Sequence, residues 1–338
     1  MEPPTVQYVT TSDGYDIAYR VAGAGQPYVV VPPIYHHLEL EQEVGLRAWH
    51  VGLSRRFKLI EYDSRGQGLS TRSLPETFSF LDLVIDLEAV LDRLGLESAI
   101  IMGTGTSGHT AIRFAARQPQ RVRALILMSS SLITGPWWPT SLAAADWDAF
   151  LTMAANVRHI RDDAEASKQR LGRMLTQSDA VLLFGAAQAS RIDEAVTKVR
   201  AHTLVLHPEH VDRPSLQQCA DLTAQIPGAR LALISGGFAT GYGDFDSGIE
   251  VIEGFLAALP EASGPVRIQA GELALETLSR REIEILRLVA SGKSNQQVAD
   301  DLVISRNTVQ RHVSNILAKT GAANRTEAAV YARDKGLA

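Results

Sequence analysis

The larger part of this chain is decided by one stretch, Ser98-Ala-Ile-Ile-Met-Gly-Thr-Gly-Thr-Ser-Gly-His-Thr-Ala-Ile-Arg-Phe-Ala-Ala-Arg-Gln118. Its opening, Ser98–Met102, is a short apolar run with β-branched members, the pattern of a strand buried on both faces. From His109 to Gln118 the apolar residues fall at helical spacing instead. Between the two, Gly103, Gly105 and Gly108 let the backbone turn sharply. Strand, glycine turn and helix make half of a parallel βαβ unit.

Similar runs stand on either side, at Tyr28–Val31, Lys58–Tyr62, Ala124–Met128, Thr203–His207 and Leu231–Ile234, with amphipathic stretches such as Phe80–Leu94 between them. The alternation predicts a mostly parallel sheet. Val6–Thr10 and Asp16–Val21, joined across Ser-Asp-Gly, predict an antiparallel hairpin at its edge. Residues 135–200 lack strand patterning and are rich in Trp, Met and Ala, which predicts a helical insertion. Pro260-Glu-Ala-Ser-Gly-Pro265 reads as a linker, and beyond it the pattern is purely helical.

The chain has 338 residues, 45% hydrophobic and 21% charged, which fits one large domain with or without a small one and argues against disorder. Cys219 is the one cysteine, so no internal disulfide forms. The N-terminal residues lack the basic-then-apolar pattern of a signal peptide, and no run of about 18 apolar residues would span a membrane. A soluble cytoplasmic protein is expected, with no membrane partner. No His/Cys spacing suggests a metal, and no cofactor is expected. The formal net charge of −5 hides an asymmetry, because from Leu273 onward ten Lys and Arg face seven Asp and Glu. A cationic tail on an acidic body suggests a nucleic-acid binder attached to something else.

Capping chemistry sets four helix starts in that tail. Ser279 with Glu282 and Ser294 with Gln297 fit the capping box, Ser305 suits a third helix, and Asn324 with Glu327 a fourth. Gly292 and Gly321 sit where helix ends favour a left-handed residue. In the third helix Val309, Val313, Ile316 and Leu317 share one face. The opposite face presents Asn307, Gln310, Arg311, Ser314 and Asn315, groups able to read base edges, with Lys319 behind them for phosphate. Polarity alone fits a solvated face on a protein-binding module equally well.

The wording of the tail goes further. Leu278-Ser-Arg-Arg-Glu-Ile-Glu-Ile-Leu-Arg-Leu-Val-Ala-Ser-Gly-Lys-Ser-Asn-Gln-Gln-Val-Ala, followed by Leu302-Val-Ile-Ser-Arg-Asn-Thr-Val-Gln-Arg-His-Val-Ser-Asn-Ile-Leu-Ala-Lys-Thr, resembles the LuxR-type (GerE-like) helix-turn-helix over about residues 274–338. The resemblance implies a scaffold helix at Ser294–Val303 and a recognition helix at Ser305–Lys319 in the major groove of double-stranded DNA. It places base reading on Gln310, Arg311 and Ser314, and mostly phosphate-side roles on Lys293, Thr308, His312 and Lys319. It also implies pairing through the last helix, with Ala328, Ala329 and Tyr331, hence a homodimer on a two-fold site.

The larger part resembles an α/β-hydrolase over about residues 5–260, through Asp63-Ser-Arg-Gly-Gln-Gly-Leu-Ser70, Met102-Gly-Thr-Gly-Thr-Ser-Gly108, the strand order and a helical cap. That family carries a Ser nucleophile on a strained G-x-S-x-G elbow, then an acid, then a His. Here Gly105 stands at the nucleophile position. Asp212, in Pro208-Glu-His-Val-Asp212, is one residue out of place for the acid, and no His occurs between His210 and His312. Pro32-Pro33-Ile34 replaces the usual His-Gly of the oxyanion loop. Loss of the whole triad removes roughly 10⁶-fold of rate in a serine hydrolase. Ser107 reads as a small packing residue rather than a substitute nucleophile. Gly103–Gly108 also spells the dinucleotide fingerprint, but no Asp or Glu follows about 20 residues on.

The expectation is therefore an α/β-hydrolase-like sensing domain at 1–262 with a cap at about 135–200, a linker at 263–273, and a small all-α LuxR-type DNA-binding domain at 274–338. The fold between cap and strand ends offers a ligand cavity. Tyr35, His36, His37, Thr104, Gly105 and Thr106 should reach it, with Trp137, Trp138, Trp147, Phe150 and Met153 added from the cap. The cap aromatics fit the cap's own core somewhat better, and tandem His36 and His37 fit a surface pair, since one must point away. The function expected is a catalytically inactive, ligand-responsive transcription regulator, with a small molecule, DNA, a second copy and RNA polymerase as partners. A bifunctional hydrolase-regulator using Ser107, or a water held by Asp212, is the enzyme alternative. A large domain that only dimerises or recruits a partner is the third.

Overall fold

The computed structural model describes residues 4–40, 47–133, 139–157, 164–209, 211, 214–235, 245–260, 278, 280–302, 306–320, 322, 324–334 and 337. The chain divides into two compact units, Met1–Glu261 and Ala262–Ala338.

In the first unit eight strands form one sheet: β1 (Gln7–Thr10), β2 (Asp16–Ala22), β3 (Pro27–Val31), β4 (Lys58–Tyr62), β5 (Ala99–Thr104), β6 (Val122–Met128), β7 (His202–Pro208) and β8 (Arg230–Ile234). Their spatial order is β1-β2-β4-β3-β5-β6-β7-β8. β1 and β2 pair antiparallel at one edge, and β3 to β8 run parallel. Every apolar run became a strand. β5 extends two residues past the expected Met102, because Gly103 and Thr104 pair with Leu127 and Met128 of β6.

Successive strand residues bury alternate faces, as the pleat demands. Ile101, Leu125, Leu127 and Val205 pack with Leu87 and Val90 of α2 (Asp82–Arg93) and Phe114 of α3 (Ser107–Arg117). Met102, Ile126, Met128 and Leu206 pack on the other face with Trp49 and Leu53 of α1 (Arg47–Ser54) and Ile249 and Ile252 of the helix Phe245–Ala257. Each fully buried large aliphatic side chain is worth about 1.5–3 kcal/mol, so these layers fix the sheet between its helices. The antiparallel junction has its own lock. Glu61 of β4, buried, takes Nε and Nη2 of its cross-strand neighbour Arg20 at 2.9 and 3.0 Å and Nδ1 of His50 at 2.6 Å.

Between β6 and β7 lie the helices Thr140–Ala145, Trp147–Val157, Ala164–Met174, Gln177–Ala189 and Asp193–Val196. The first four build a cap whose apolar core is shared with Ile34, Tyr35, Leu74 and Phe78 of the body. Asp179, fully buried, ties the two together by accepting the N–H of Ser73 at 3.2 Å and of Leu74 at 2.8 Å.

The second unit has helices Arg280–Ala290, Asn295–Leu302, Arg306–Thr320 and Arg325–Asp334 around Ile285, Leu286, Val289, Val298, Val309, Ile316, Ala328 and Ala332. The Ser294 capping box forms in both directions: Gln297 N–H donates to Ser294 Oγ at 3.3 Å, and Ser294 N–H to Gln297 Oε1 at 2.8 Å. Asn324 Oδ1 likewise accepts Glu327 N–H at 3.0 Å. Gly292 has a φ of +87°, the left-handed helix end that glycine allows. Ser279, Ser305 and Gly321 lie outside the described residues, as does the linker at 263–273.

Candidate functional site

β5 ends at Thr104 and α3 starts at Ser107, so two residues must reverse the chain. Gly105 does this with a φ of +56° and donates its N–H to Met128 C=O at 2.9 Å. Among the described residues, its chain neighbours aside, a Cβ there would meet nothing closer than the Ser129 carbonyl oxygen, at 3.9 Å. The elbow has room for a side chain and lacks one.

Ser107 cannot fill the role as it stands. Its buried Oγ accepts Thr104 N–H at 2.8 Å and donates to Thr104 C=O at 3.0 Å, closing the strand-to-helix turn on itself. His109, two residues on, is held at both ring nitrogens, Nδ1 at 2.8 Å from Ser190 Oγ and Nε2 at 2.9 Å from Ser131 C=O. Burial pushes its pKa down to about 4, so it is neutral at pH 7 and braces the cap's return to the sheet.

The loop after β3 corrects one expectation. His36 and His37 are both buried, and neither is at the surface. Tyr35 has a φ of +70°, which folds the loop inward, and His36 Nδ1 then lies 2.7 Å from Asp63 Oδ1. Asp63 also accepts the N–H of Leu38 at 3.2 Å and of Leu69 at 2.8 Å. His37 Nδ1 accepts Glu39 N–H at 3.2 Å, and burial lowers the pKa of that ring, which leaves it neutral. Arg65, two residues beyond Asp63, is buried against Asp86 at 2.7 Å and Asp13 at 2.6 Å, with Tyr15 beneath its guanidinium.

Facing these loops, the cap's aromatics form a chain of rings. Trp147 stacks on Phe150 at 5.4 Å, Phe150 meets Phe184 edge-on at 5.8 Å, and Phe184 tilts against Tyr35 at 5.3 Å. Phe150 has no exposed surface, and Trp147 and Met153 pack partly buried against the same cluster. These three build the cap's core. Phe184, which joins that core to Tyr35, was not singled out by sequence, although Ala180, Leu183, Phe184 and Ala187 repeat at helical spacing. Thr104 and Thr106 flank the elbow half-buried. Trp137, Trp138, His210, Asp212 and the segment 236–244 lie outside the described residues. Cys219 Sγ lies 3.5 Å from His207 Nδ1, and burial lifts its thiol pKa to about 11. Among the described residues no group of three His, Cys, Asp or Glu could hold a metal, and no helix is long and apolar enough to cross a membrane.

In the second unit the helix Arg306–Thr320 buries Val309 and Ile316 and half-buries Val313 and Leu317. Thr308, Gln310, Ser314 and Asn315 are exposed, and His312 is half-buried. The side chains of Asn307, Arg311 and Lys319 lie outside the description.

Residues 276–332 match the family model described as bacterial regulatory proteins, luxR family, and residues 45–186 match that of the α/β hydrolase fold. The C-terminal unit is a luxR-family regulatory domain. It is similar to the transcriptional regulatory protein LiaR of Bacillus subtilis (strain 168), 49% identical over 70 residues, which are 20% of this chain and 33% of LiaR. The chain spans about a third of the length of the curated relatives it matches. The first unit is similar to the enol-lactonase from Burkholderia xenovorans LB400, with a TM-score of 0.63 at 18% identity over 74% of this chain and 100% of that one. It is similar too to the bromoperoxidase from Bacillus anthracis, with a TM-score of 0.62 at 16% identity over 75% and 100%. At such identities the α/β-hydrolase fold is what they share.

Within the luxR-family domain, Lys293 is engaged. Its Nζ lies 2.6 Å from Asp301 Oδ2 of the helix Asn295–Leu302, so a phosphate would have to compete with that carboxylate.

Proposed function

We propose that the chain is a one-component transcription regulator. Its hydrolase-fold unit senses a small, mainly apolar molecule without turning it over, and its luxR-family domain binds a two-fold operator in double-stranded DNA as a homodimer, acting on RNA polymerase. The observation that carries this reading is Gly105: the elbow keeps the left-handed backbone and the open side-chain space of a nucleophile position but holds no nucleophile. The engagement of Ser107 with Thr104 supports it, since both hydrogen bonds given for that hydroxyl among the described residues go to the backbone of its own turn rather than to a base.

On the DNA side the support is the exposed polar face of the helix Arg306–Thr320, with Gln310 and Ser314 one turn apart. The decisive experiment pairs two assays on the purified full chain. Incubation with p-nitrophenyl acetate and butyrate should give no hydrolysis above buffer, and a mobility shift with fragments upstream of its own gene should show retarded DNA. Ester turnover abolished by Ser107→Ala would favour the bifunctional alternative.

A further inference from the structure

The end of the sheet opposite the elbow is built from strand starts. β6, β7 and β8 are neighbours and run parallel, so their first residues open on one rim. That rim is basic. Arg123 stands between Val122 and Ala124, where β6 shifts register against β5. The turn into β7 carries Lys198 and Arg200, His202 opens β7 itself, and Arg230 opens β8. Lys198, Arg200, His202 and Arg230 are exposed. None of these five has a carboxylate partner among the described residues, whereas Arg121 beside them is paired with Asp92 at 2.7 Å. Glu97, two residues before β5, is an acid at the same end. The first 272 residues carry 23 Lys and Arg against 31 Asp and Glu, so the clustered cations run against the charge of their own body.

A second observation comes from the helix Phe245–Ala257, after which the chain continues toward the luxR-family domain. A Cβ on Gly248 would lie 3.5 Å from Ile234 Cδ1, at the finishing end of β8. Five residues on, Glu253 pairs with Arg56 at 2.9 Å, and Arg56 stands two residues before the start of β4. The helix therefore runs against the strands, and the chain leaves the unit at the end that carries the basic rim.

We propose that this rim is an auxiliary DNA-backbone surface, taking phosphates that flank the site held by the luxR-family domain. It rests on the DNA-binding reading of that domain. Neighbouring strands lie about 4.8 Å apart, so the starts of β6 to β8 fall within about 10 Å, near the screening length at physiological salt, and act as one patch. Duplex DNA offers a phosphate charge about every 1.7 Å of its axis. Exposed charges of this kind bind weakly on their own. Residues 261–277, at most about 3.6 Å each, tie them to a domain already on the duplex, and the resulting effective concentration makes weak contacts count. Phosphate contacts carry no sequence information, so the rim adds affinity without selectivity.

The test measures DNA affinity of the full chain against salt, on fragments upstream of its own gene and on random-sequence duplex of equal length. Lys198→Ala/Arg200→Ala/Arg230→Ala should flatten the slope of log K against log salt by about two to three, near 0.9 for each lost phosphate contact, and equally on both duplexes. Arg200→Lys/Arg230→Lys should keep the wild-type slope, because a phosphate is served by either cation. Arg173→Ala/Arg191→Ala removes two exposed cations from the stretch between β6 and β7 and should leave the slope in place. A wild-type slope in the triple-alanine variant overturns the proposal, as does equal flattening by the Arg173/Arg191 pair. Unchanged DNA slopes with loss of poly-glutamate binding overturn it in favour of an acidic protein partner. If wild type retards neither duplex, the DNA-binding reading fails, and the rim's role with it.

Discussion

Gly105 and His109 stand four residues apart and make opposite statements about the elbow. Glycine removes the nucleophile but keeps the backbone that would present one. Restoring the hydroxyl is therefore an informative substitution. Among the described residues beyond its chain neighbours, Gly105→Ser meets only the Ser129 carbonyl, at 3.9 Å. It should cost about 1–2 kcal/mol, because serine must take a left-handed φ. It should still give no turnover of p-nitrophenyl butyrate, because a serine without a base is a weak nucleophile. His109 carries a pH signature instead. Its ring is held near pKa 4 when folded and returns to about 6.5 when unfolded. Between those values the unfolded chain takes up a proton that the folded one refuses, so stability is fully present above about pH 6.5 and falls as pH drops toward 4. Urea unfolding at pH 7 and 4.5 should show His109→Gln losing less stability between the two conditions than wild type, by about 2–3 kcal/mol. Equal losses would assign the pH response to other groups.

At the scale of elements, what was legible in the sequence is what neighbours along the chain decide. The strand runs, the hairpin turn at Asp13-Gly14, the Ser294 and Asn324 caps and the glycine elbow are local patterns, and each appears where it was read. What was not legible depends on partners far away. Asp179 binds the N–H groups of Ser73 and Leu74, more than 100 residues earlier, and nothing near Asp179 announces it. The inward turn at Tyr35, which buries both histidines, has no glycine or proline at that residue to signal a left-handed φ. Asp179 also carries a consequence for the cap. Asp179→Ala removes the carboxylate that accepts the N–H groups of Ser73 and Leu74 and the Thr176 hydroxyl at 2.7 Å, leaving the buried Leu74 N–H unmet. It should destabilise the first unit by about 2–4 kcal/mol and make the cap the first site of limited proteolysis. A variant that melts and digests like wild type would show that the apolar cap core alone holds the layers together.

For the whole molecule, regulation requires the sensed compound to favour one state over another, since equal affinity for both shifts nothing. Gly105→Leu should abolish the ligand response while leaving basal DNA retardation intact; an unchanged response would move the sensing site away from the elbow. On DNA, Gln310→Ala should relax operator selectivity at roughly 1–3 kcal/mol for the lost base contact. Lys319→Ala should weaken binding to all sequences and flatten the salt dependence by about one unit of slope. Identical behaviour of the two variants would overturn the assignment of the reading face. A practical opening comes from Cys219. The chain's one thiol is buried beside His207 with a pKa of about 11, so at neutral pH almost none of it is thiolate and alkylating reagents meet a protonated, shielded sulfur. A cysteine introduced at an exposed position such as Ser291 is then the sole reactive handle on the native background. In the proposed homodimer, donor-labelled and acceptor-labelled copies of that variant, mixed in solution, would make the spacing between two luxR-family domains an optical quantity that can be followed while candidate effectors are titrated in.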